Sequence, residues 1–141
     1  MLHATTVAIA GQAVMLCGSS GAGKSDLALR LIDRGAILVS DDYTIAKRTP
    51  EGALIAAVPD NIAGKMEVRG IGILPFDHVS DIAVALVVDL SGAVERMPLE
   101  PTTRTIAGVA VPVISLMAKE SSAPIKVELA LSAIGMDKTA K

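Results

Sequence analysis

The chain has 141 residues and a formal net charge of −2, and 51% of its residues are apolar although tryptophan is absent and tyrosine and phenylalanine occur once each. This length fits a single domain, residues 1–141, with an aliphatic core. The slightly acidic balance argues against nucleic acid as a partner, because binding to a phosphate backbone needs a basic face.

Cysteine usage and the lengths of the hydrophobic runs indicate the cellular location of the protein. Cys17 is the single cysteine, so no internal disulfide can form, which is typical of a reducing cytoplasm. Residues 1–16 lack the basic start of a signal peptide, and no uninterrupted run of about 18 apolar residues occurs. We therefore expect a cytoplasmic protein that does not span a membrane.

Two short strands, 5–10 and 13–17, flank a turn at Gly11–Gln12 and lead into a phosphate-binding loop. The loop fits G-x-x-x-x-G-K-[ST] at every fixed position and precedes a helical pattern. Its glycines let successive N–H groups point inward as an anion-binding nest, the lysine reaches the β/γ-phosphates, and the final hydroxyl can ligate Mg²⁺. The nucleotide-binding residues are Gly18, Ser19, Ser20, Gly21, Ala22, Gly23, Lys24 and Ser25.

The helix should begin at Lys24 and end before Gly35, and a buried strand over 36–39 comes after it. Strand, helix and strand predict a right-handed parallel βαβ unit. Ligands bind at the carboxyl ends of such strands. Asp41 and Asp42, which directly follow the second strand, are therefore expected to lie at the nucleotide site.

Two carboxylate positions compete for the metal-binding and general-base roles. The strand 84–90 carries Asp89 near its end, as Mg²⁺-binding strands of nucleotide hydrolases do, and this generic rule favours Asp89. Asp41 and Asp42 are adjacent acids beside a phosphate site, where the pKa of one can be raised to a value useful for proton transfer. Their spacing alone fits a solvated turn equally well.

The rest of the chain is predicted to be mostly β. We expect a hairpin of strands 43–46 and 54–58, a loop with a helical turn over 59–65, and loops and short strands over 91–112. A closing helix over 125–134 should begin near Ser122 and Pro124 and end at Gly135, with the last six residues frayed.

Three segments together resemble the HPr kinase/phosphorylase family. They are the phosphate loop 18–25, the strand end 38–42 with its Asp-Asp pair, and 66–73, which reads Met-Glu-Val-Arg-Gly-Ile-Gly-Ile. The family shows the same motifs in this order and at about these separations, and the third is much rarer than the first. The chain also lacks the N-K-x-D segment of guanine-specific switches.

The resemblance implies an ATP- and Mg²⁺-dependent kinase that phosphorylates a serine of HPr or of an HPr-like phosphocarrier of the phosphotransferase system. It implies nucleotide and metal roles for Lys24 and Ser25. Glu67 would be a second metal ligand, Arg69 would lie in the catalytic segment, and His3 matches a histidine of the family's site. The Asp-Asp pair would accept the serine proton, with spacing favouring Asp42 and Asp41 beside it.

The resemblance also implies a fold, an assembly and a departure from the family. The fold would be α/β, a P-loop core resembling phosphoenolpyruvate carboxykinase, with a mixed β-sheet and few helices, and family members form hexamers. The likeness fades after about residue 74, and the chain is similar to the short, catalytic-domain-only form. The family's arginine-rich stretch for phosphorolysis is replaced near 117–122, and Arg96, Arg104 and Lys119 are the nearby cations. Phosphorolysis is therefore in doubt.

Two other functions fit the same residues. One is a P-loop kinase of a small molecule, which transfer assays on HPr and on metabolites would separate from a protein kinase. The other is a non-enzymatic nucleotide sensor, which would keep both binding and signalling when Asp42 is replaced by asparagine.

Overall fold

The computed structural model describes residues 1–19, 21–92, 94 and 101–139, with side chains of the last helix up to position 134. The described part of the chain forms ten strands, two α-helices and one 3-10 turn. The strands are β1 (Ala4–Ile9), β2 (Gln12–Cys17), β3 (Ile37–Ser40), β4 (Ile45–Arg48), β5 (Leu54–Ala57), β6 (Lys65–Val68), β7 (Gly72–Pro75), β8 (Ile82–Asp89), β9 (Thr102–Ile106) and β10 (Val109–Ser115). The helices are α1 (Lys24–Asp33) and α2 (Ala123–Thr139), and the 3-10 turn is Asp60–Ile62.

The main sheet has eight strands in the order β3-β1-β2-β8-β10-β9, and β5 joins the β4–β5 hairpin to β8. β8 pairs in parallel with both β2 and β10, whereas β1 is antiparallel to both β2 and β3. β2, β3, β8 and β10 therefore all run in one direction. β6 and β7 form a separate antiparallel hairpin.

The carboxyl ends of these four strands lie at one edge of the sheet, which is where open α/β sheets bind ligands. The phosphate loop comes after β2, and the Asp41–Asp42 pair comes after β3. β8 ends in Asp89, and segment 116–120 comes after β10. The topology thus brings four sequence-distant segments to the same edge.

The core lies on both faces of the sheet because alternate residues of a strand point to opposite sides. Leu16 of β2 packs in one cluster with Leu27 of α1 and Val127 of α2, so both helices cover the same face. Met15, the neighbour of Leu16, packs on the other face with Val87 and Leu54. Aliphatic side chains fill both clusters, as the composition predicts.

The predicted parallel βαβ unit is confirmed in the direction of its strands but is wrong in making them neighbours. β2 and β3 do run in the same direction, but they are not neighbours, because β1 lies between them. The β1–β2 hairpin occupies one edge of β2 and β8 occupies the other. The pattern of a single strand-helix-strand unit carries no information about such an inserted strand.

The predicted hairpins β1–β2 and β4–β5 are confirmed, and the helical turn predicted within 59–65 is the 3-10 turn Asp60–Ile62. The predicted loops and short strands of 91–112 include β9 and the first part of β10, which continues to Ser115. Pro112 lies just before β10 begins to pair with β8. A proline there removes no hydrogen bond to β8.

The predicted end of the last helix at Gly135 is wrong, because α2 continues to Thr139. A single interior glycine costs only about 1 kcal/mol relative to alanine, so it does not by itself stop a helix. In the part of the chain that the structure describes, no helix combines the length and the apolar character needed to cross a membrane.

The segment after β10 packs tightly on the start of α1. Gly23 caps this helix in a left-handed conformation with φ of 94°. A Cβ added at Gly23 would lie 2.9 Å from the Cβ of Ala118, closer than real side chains approach. Glycine at this position therefore permits both the loop conformation and the close approach of the two segments.

Replacing Leu27 by alanine should destabilise the protein by about 2–5 kcal/mol, because its fully buried side chain would leave a cavity. Leu129→Ala is the matched helical control, since its side chain is 64% exposed and its loss should change stability by less than about 0.5 kcal/mol. Urea denaturation measures both. Similar losses in the two variants would contradict the assigned faces of the helices.

A second stability test separates backbone strain from steric contact at the phosphate loop. Gly21 and Gly23 both have positive φ, of 85° and 94°, but a Cβ at Gly21 meets nothing within 4 Å. Gly21→Ala should cost about 1–2 kcal/mol from strain alone, and Gly23→Ala should cost more because of the clash with Ala118.

The extra loss in Gly23→Ala should be recovered when Ala118→Gly removes the facing methyl group. Unfolding free energies of the two single variants and the double variant, measured without nucleotide, give the comparison. Equal losses for Gly21→Ala and Gly23→Ala would show that segment 116–120 does not press on the loop.

Candidate functional site

The phosphate loop connects β2 to α1, as the motif predicts, and its lysine is buried. Lys24 is 5% exposed, and its Nζ donates hydrogen bonds to the carbonyl oxygens of Gly18 at 2.8 Å and Ser19 at 2.9 Å. The ammonium group therefore lies inside the loop, where a bound phosphate would compete with these carbonyls for it. Ser20, also predicted to bind nucleotide, lies outside the described residues.

The Asp41 carboxylate connects three other segments of the chain. Its Oδ1 accepts hydrogen bonds from the hydroxyls of Ser25, at 2.6 Å, and Thr5, at 3.1 Å. Its Oδ2 accepts one from the backbone N–H of Glu67, at 3.2 Å. Asp41 thus holds the phosphate loop, β1 and β6 around the end of β3.

Asp42 points in a different direction from its neighbour. It adopts a left-handed backbone conformation with φ of 69°, and its side chain is 53% exposed. Its backbone N–H donates to the Thr5 hydroxyl at 3.0 Å, and its Oδ1 lies 2.8 Å from His3 Nε2. The His3 ring stacks on Tyr43, so that the histidine is held from two sides.

The β6–β7 hairpin forms one wall of the site. Glu67 and Arg69 are both exposed and both line the cleft that contains Lys24. Among the described residues the two make no ion pair with each other. Both residues instead line the cleft beside the phosphate loop.

A cleft of about 590 Å³ lies between these segments, within the size range of small-molecule sites. Its lining residues are Gly21, Gly23, Lys24, Ser25, Asp26, Leu29, Asp41, Asp42, Met66, Glu67, Val68, Arg69 and Lys119. Three cations and four carboxylates are among them, a combination that suits a phosphate group with a divalent metal.

Segment 116–120 brings Lys119 to the cleft, and Arg30 of α1 holds this segment. The Arg30 guanidinium donates to the carbonyl oxygen of Ala118 and, at 3.0 Å, to that of Glu120. It also donates to Asp26 at 3.1 Å, one turn earlier in the same helix. Of the other cations near the replaced arginine-rich stretch, Arg104 is absent from the cleft lining and Arg96 lies outside the described residues.

Asp89, the alternative predicted from the generic rule, does not line the cleft. Its Oδ1 accepts hydrogen bonds from the backbone N–H of Ser91 at 2.9 Å and from the Ser91 hydroxyl at 2.7 Å. These bonds, the backbone one first, lower the pKa of Asp89 below its usual value. Asp89 therefore caps the turn after β8, and Asp41 is the carboxylate that bonds to Ser25.

The donor set fits Mg²⁺. The hydroxyl of Ser25 and the carboxylates of Asp41 and Glu67 are hard oxygen donors, the type that Mg²⁺ prefers. Within the described residues no cluster of three or more His, Cys, Asp or Glu side chains is close enough to enclose a metal. Mg²⁺ at phosphate sites needs only one or two carboxylates, because substrate phosphates and water supply its other ligands.

Most of the predicted site residues lie together. Lys24, Ser25 and the two carboxylates after β3 line one cleft with Glu67 and Arg69, and His3 contacts it through Asp42. Gly18, Ser19 and Ala22 belong to the loop but are not among the lining residues. No sequence signal pointed to Thr5, since threonine is an ordinary strand residue, or to the role of Arg30.

Comparison with known proteins identifies the family. The model of the HPr Serine kinase C-terminal domain matches residues 1–138. An HPr kinase/phosphorylase of Leptospira biflexa is 35% identical over 145 residues, covering 92% of this chain and 45% of the relative. One of Prosthecochloris aestuarii is 36% identical over 126 residues, covering 81% and 37%. The chain thus spans less than half the length of these curated relatives.

A solved structure agrees with the sequence comparisons. The Hpr(Ser) kinase/phosphatase from Coxiella burnetii superposes with a TM-score of 0.80 at 29% identity, covering 98% of this chain and 94% of that one. The mixed α/β fold with few helices therefore matches that of an HPr kinase. On the strength of the family model and of these relatives, the chain belongs to the family of the HPr serine kinase C-terminal domain.

Proposed function

We propose that this chain transfers the γ-phosphoryl group of ATP to a serine of HPr, or of an HPr-like phosphocarrier of the phosphotransferase system. Its family membership supports a kinase. The observation that carries the proposal is the turn after β3, where Asp41 bonds to the phosphate-loop Ser25 while Asp42 faces the cleft. One turn thus joins a phosphate site to an accessible carboxylate.

The nucleotide phosphates would bind to the backbone N–H groups of the loop and to Lys24. Binding requires the Lys24 ammonium to exchange its bonds with Gly18 and Ser19 for phosphate oxygens. Lys119, which also lines the cleft, adds a second positive charge. The two lysines can balance the negative charge of the transferring group in the transition state.

Ser25 and Glu67 would hold Mg²⁺. When bound, the ion neutralises charge on the phosphate oxygens and orients them for in-line transfer. A hydroxyl has one hydrogen and two lone pairs, so Ser25 can donate to Asp41 and still present an oxygen lone pair to a cation. By accepting the hydrogen bond of the Ser25 hydroxyl, Asp41 would orient that oxygen as a ligand for the ion.

Asp42 would act as the proton acceptor. As the substrate serine oxygen forms its bond to phosphorus, its proton passes to the Asp42 carboxylate and the bond from phosphorus to the ADP oxygen breaks. Half of the Asp42 side chain is exposed, so a protein substrate can reach it. His3 beside Asp42, and Arg69 on the hairpin, would help to position the reacting groups.

The proposal extends to the domain, its surroundings and its assembly. We infer a single domain over 1–141, a core resembling phosphoenolpyruvate carboxykinase, a cytoplasmic location and a homo-oligomer of the family's hexameric type. Phosphorolysis of phosphoserine is less well supported than transfer, since one lysine stands at the cleft where the family carries an arginine-rich stretch. Small-molecule phosphorylation and nucleotide sensing are the competing functions.

Incubation of HPr with the protein, ATP and Mg²⁺ should yield HPr carrying one phosphoryl group on a serine. Mass spectrometry of the intact protein and of its peptides measures this. A reaction without ATP is the control. Unmodified HPr together with phosphorylation of a compound in a metabolite panel would identify a small-molecule kinase instead.

Asp42→Asn should keep nucleotide affinity and lose turnover by about 10²–10⁴-fold, because the amide cannot accept the serine proton. Calorimetric titration with ATP and a transfer assay measure the two properties. Asp81→Asn is the matched control, since Asp81 is also an exposed aspartate with positive φ, of 60°. Unchanged turnover in Asp42→Asn would exclude this residue as the base. A wild-type protein without turnover, whose signalling Asp42→Asn leaves intact, would favour a sensor.

A further inference from the structure

We propose that Thr5 is a positioning residue that sets the orientation of the Asp41–Asp42 pair, an inference that rests on the proposed kinase function. The Thr5 side chain is fully buried and does not line the cleft. Its hydroxyl donates to Asp41 Oδ1 at 3.1 Å and accepts from the backbone N–H of Asp42 at 3.0 Å. One oxygen atom therefore contacts both residues of the pair.

The register of the sheet brings Thr5 to this position. In the antiparallel pairing of β1 with β3, Thr6 faces Ser40 and Val7 faces Leu38, so that Val39 is an extra, bulged residue. Continuing from the pair of Thr6 with Ser40 places Thr5 beside Asp41. Bulges commonly redirect side chains next to active sites, and this one aligns the hydroxyl with the turn that comes after β3.

The hydroxyl stabilises a backbone conformation that is otherwise unfavourable. Asp42 has a φ of 69°, in the left-handed region that is unfavourable for a residue other than glycine. Because β3 ends at Ser40, the Asp42 N–H lies beyond the strand ladder, and the Thr5 oxygen accepts its hydrogen bond. The bond holds the chain in the turn.

This turn gives two adjacent carboxylates different surroundings. Asp41 is 9% exposed and bonds to Ser25, whereas the Asp42 side chain is 53% exposed and faces the cleft. Without the hydroxyl, the Asp42 N–H would lose its partner and Asp41 would lose one of its three donors. Thr5 therefore keeps one carboxylate directed to the loop serine and the other to the substrate.

Thr6 provides a matched control. It is also fully buried, but adjacent strand residues face opposite sides, and its hydroxyl bonds to that of Thr44 at 2.8 Å. The Thr44 hydroxyl in turn donates to the carbonyl oxygen of Ala4. Removing the Thr6 hydroxyl disturbs a buried hydrogen bond in the same strand without touching Asp41 or Asp42.

The test compares Thr5→Val, Thr5→Ser and Thr6→Val. Thr5→Val should lower kcat for phosphoryl transfer by about tenfold to a hundredfold, since small misplacements of reacting groups cost this much. KM for ATP should change by less than about twofold, because Asp41 keeps its bonds from the Ser25 hydroxyl and the Glu67 N–H, and Lys24 makes no bond to Thr5. Thr5→Ser keeps the hydroxyl and should restore kcat, and Thr6→Val should leave it near the wild-type value.

A second measurement does not depend on transfer. Amide hydrogen exchange of Asp42, followed by NMR on the nucleotide-free protein, should be at least about tenfold faster in Thr5→Val and unchanged in Thr5→Ser and Thr6→Val. Thermal unfolding of all three variants separates this local effect from global loss of stability.

Failure of this inference is distinguishable from failure of the proposed function. If wild-type protein transfers no phosphate to HPr, the kinase assignment is wrong, and the exchange rate of the Asp42 amide still tests the hold of Thr5 on the turn. An unchanged exchange rate in Thr5→Val overturns the inference. So does a fall in kcat that Thr6→Val reproduces or that Thr5→Ser fails to restore.

Discussion

The site depends on the carboxylate of Asp41. Three donors from separate parts of the chain meet at it, namely the hydroxyls of Thr5 and Ser25 and the N–H of Glu67. Hydrogen bonds to an ionised acceptor are about twice as strong as neutral ones, and a buried carboxylate without them would be costly. The hydrogen bonds that offset the cost of burying Asp41 therefore also hold the phosphate loop, β1 and the β6–β7 hairpin together.

The direction of the strands explains why these segments can meet. β2, β3, β8 and β10 all end at one edge, although antiparallel β1 separates the first two. Each of these strands leads into a connecting segment at that edge, and such segments can carry chemistry while the sheet stays rigid. Asp89 illustrates the limit of this rule, because it stands at the correct edge but its carboxylate is used to cap the turn at Ser91.

Local patterns predicted much of this arrangement. The phosphate loop, helix α1, the β1–β2 hairpin and the Asp41–Asp42 strand end have strong short-range signals, namely turn glycines, apolar periodicity and fixed motif spacing. These short-range signals do not show that β1 lies between β2 and β3, because strand order depends on which strand edges are free to pair. The helix stop predicted at Gly135 is wrong because a lone glycine only weakens a helix.

The site residues likewise divide into those that the sequence reveals and those that only the structure reveals. Lys24 is visible in the sequence through the fixed motif of the phosphate loop. Glu67 is visible only through the family resemblance of segment 66–73. Arg30 and Thr5 are common residues in ordinary places, and their contacts span 88 and 36 positions along the chain. Such supporting residues become apparent only when the distances are known, since no local rule connects them to the partners they hold.

The hydrogen bonds that Lys24 makes within the loop limit the free energy that nucleotide binding can gain from this residue. The ammonium group already has two carbonyl partners in the loop, so an arriving phosphate replaces existing interactions rather than adding to an empty space. The net gain from such an exchange is a small difference between large terms. A loop of this kind keeps the ammonium group hydrogen-bonded while no nucleotide is bound, so that a buried cation need not destabilise the protein.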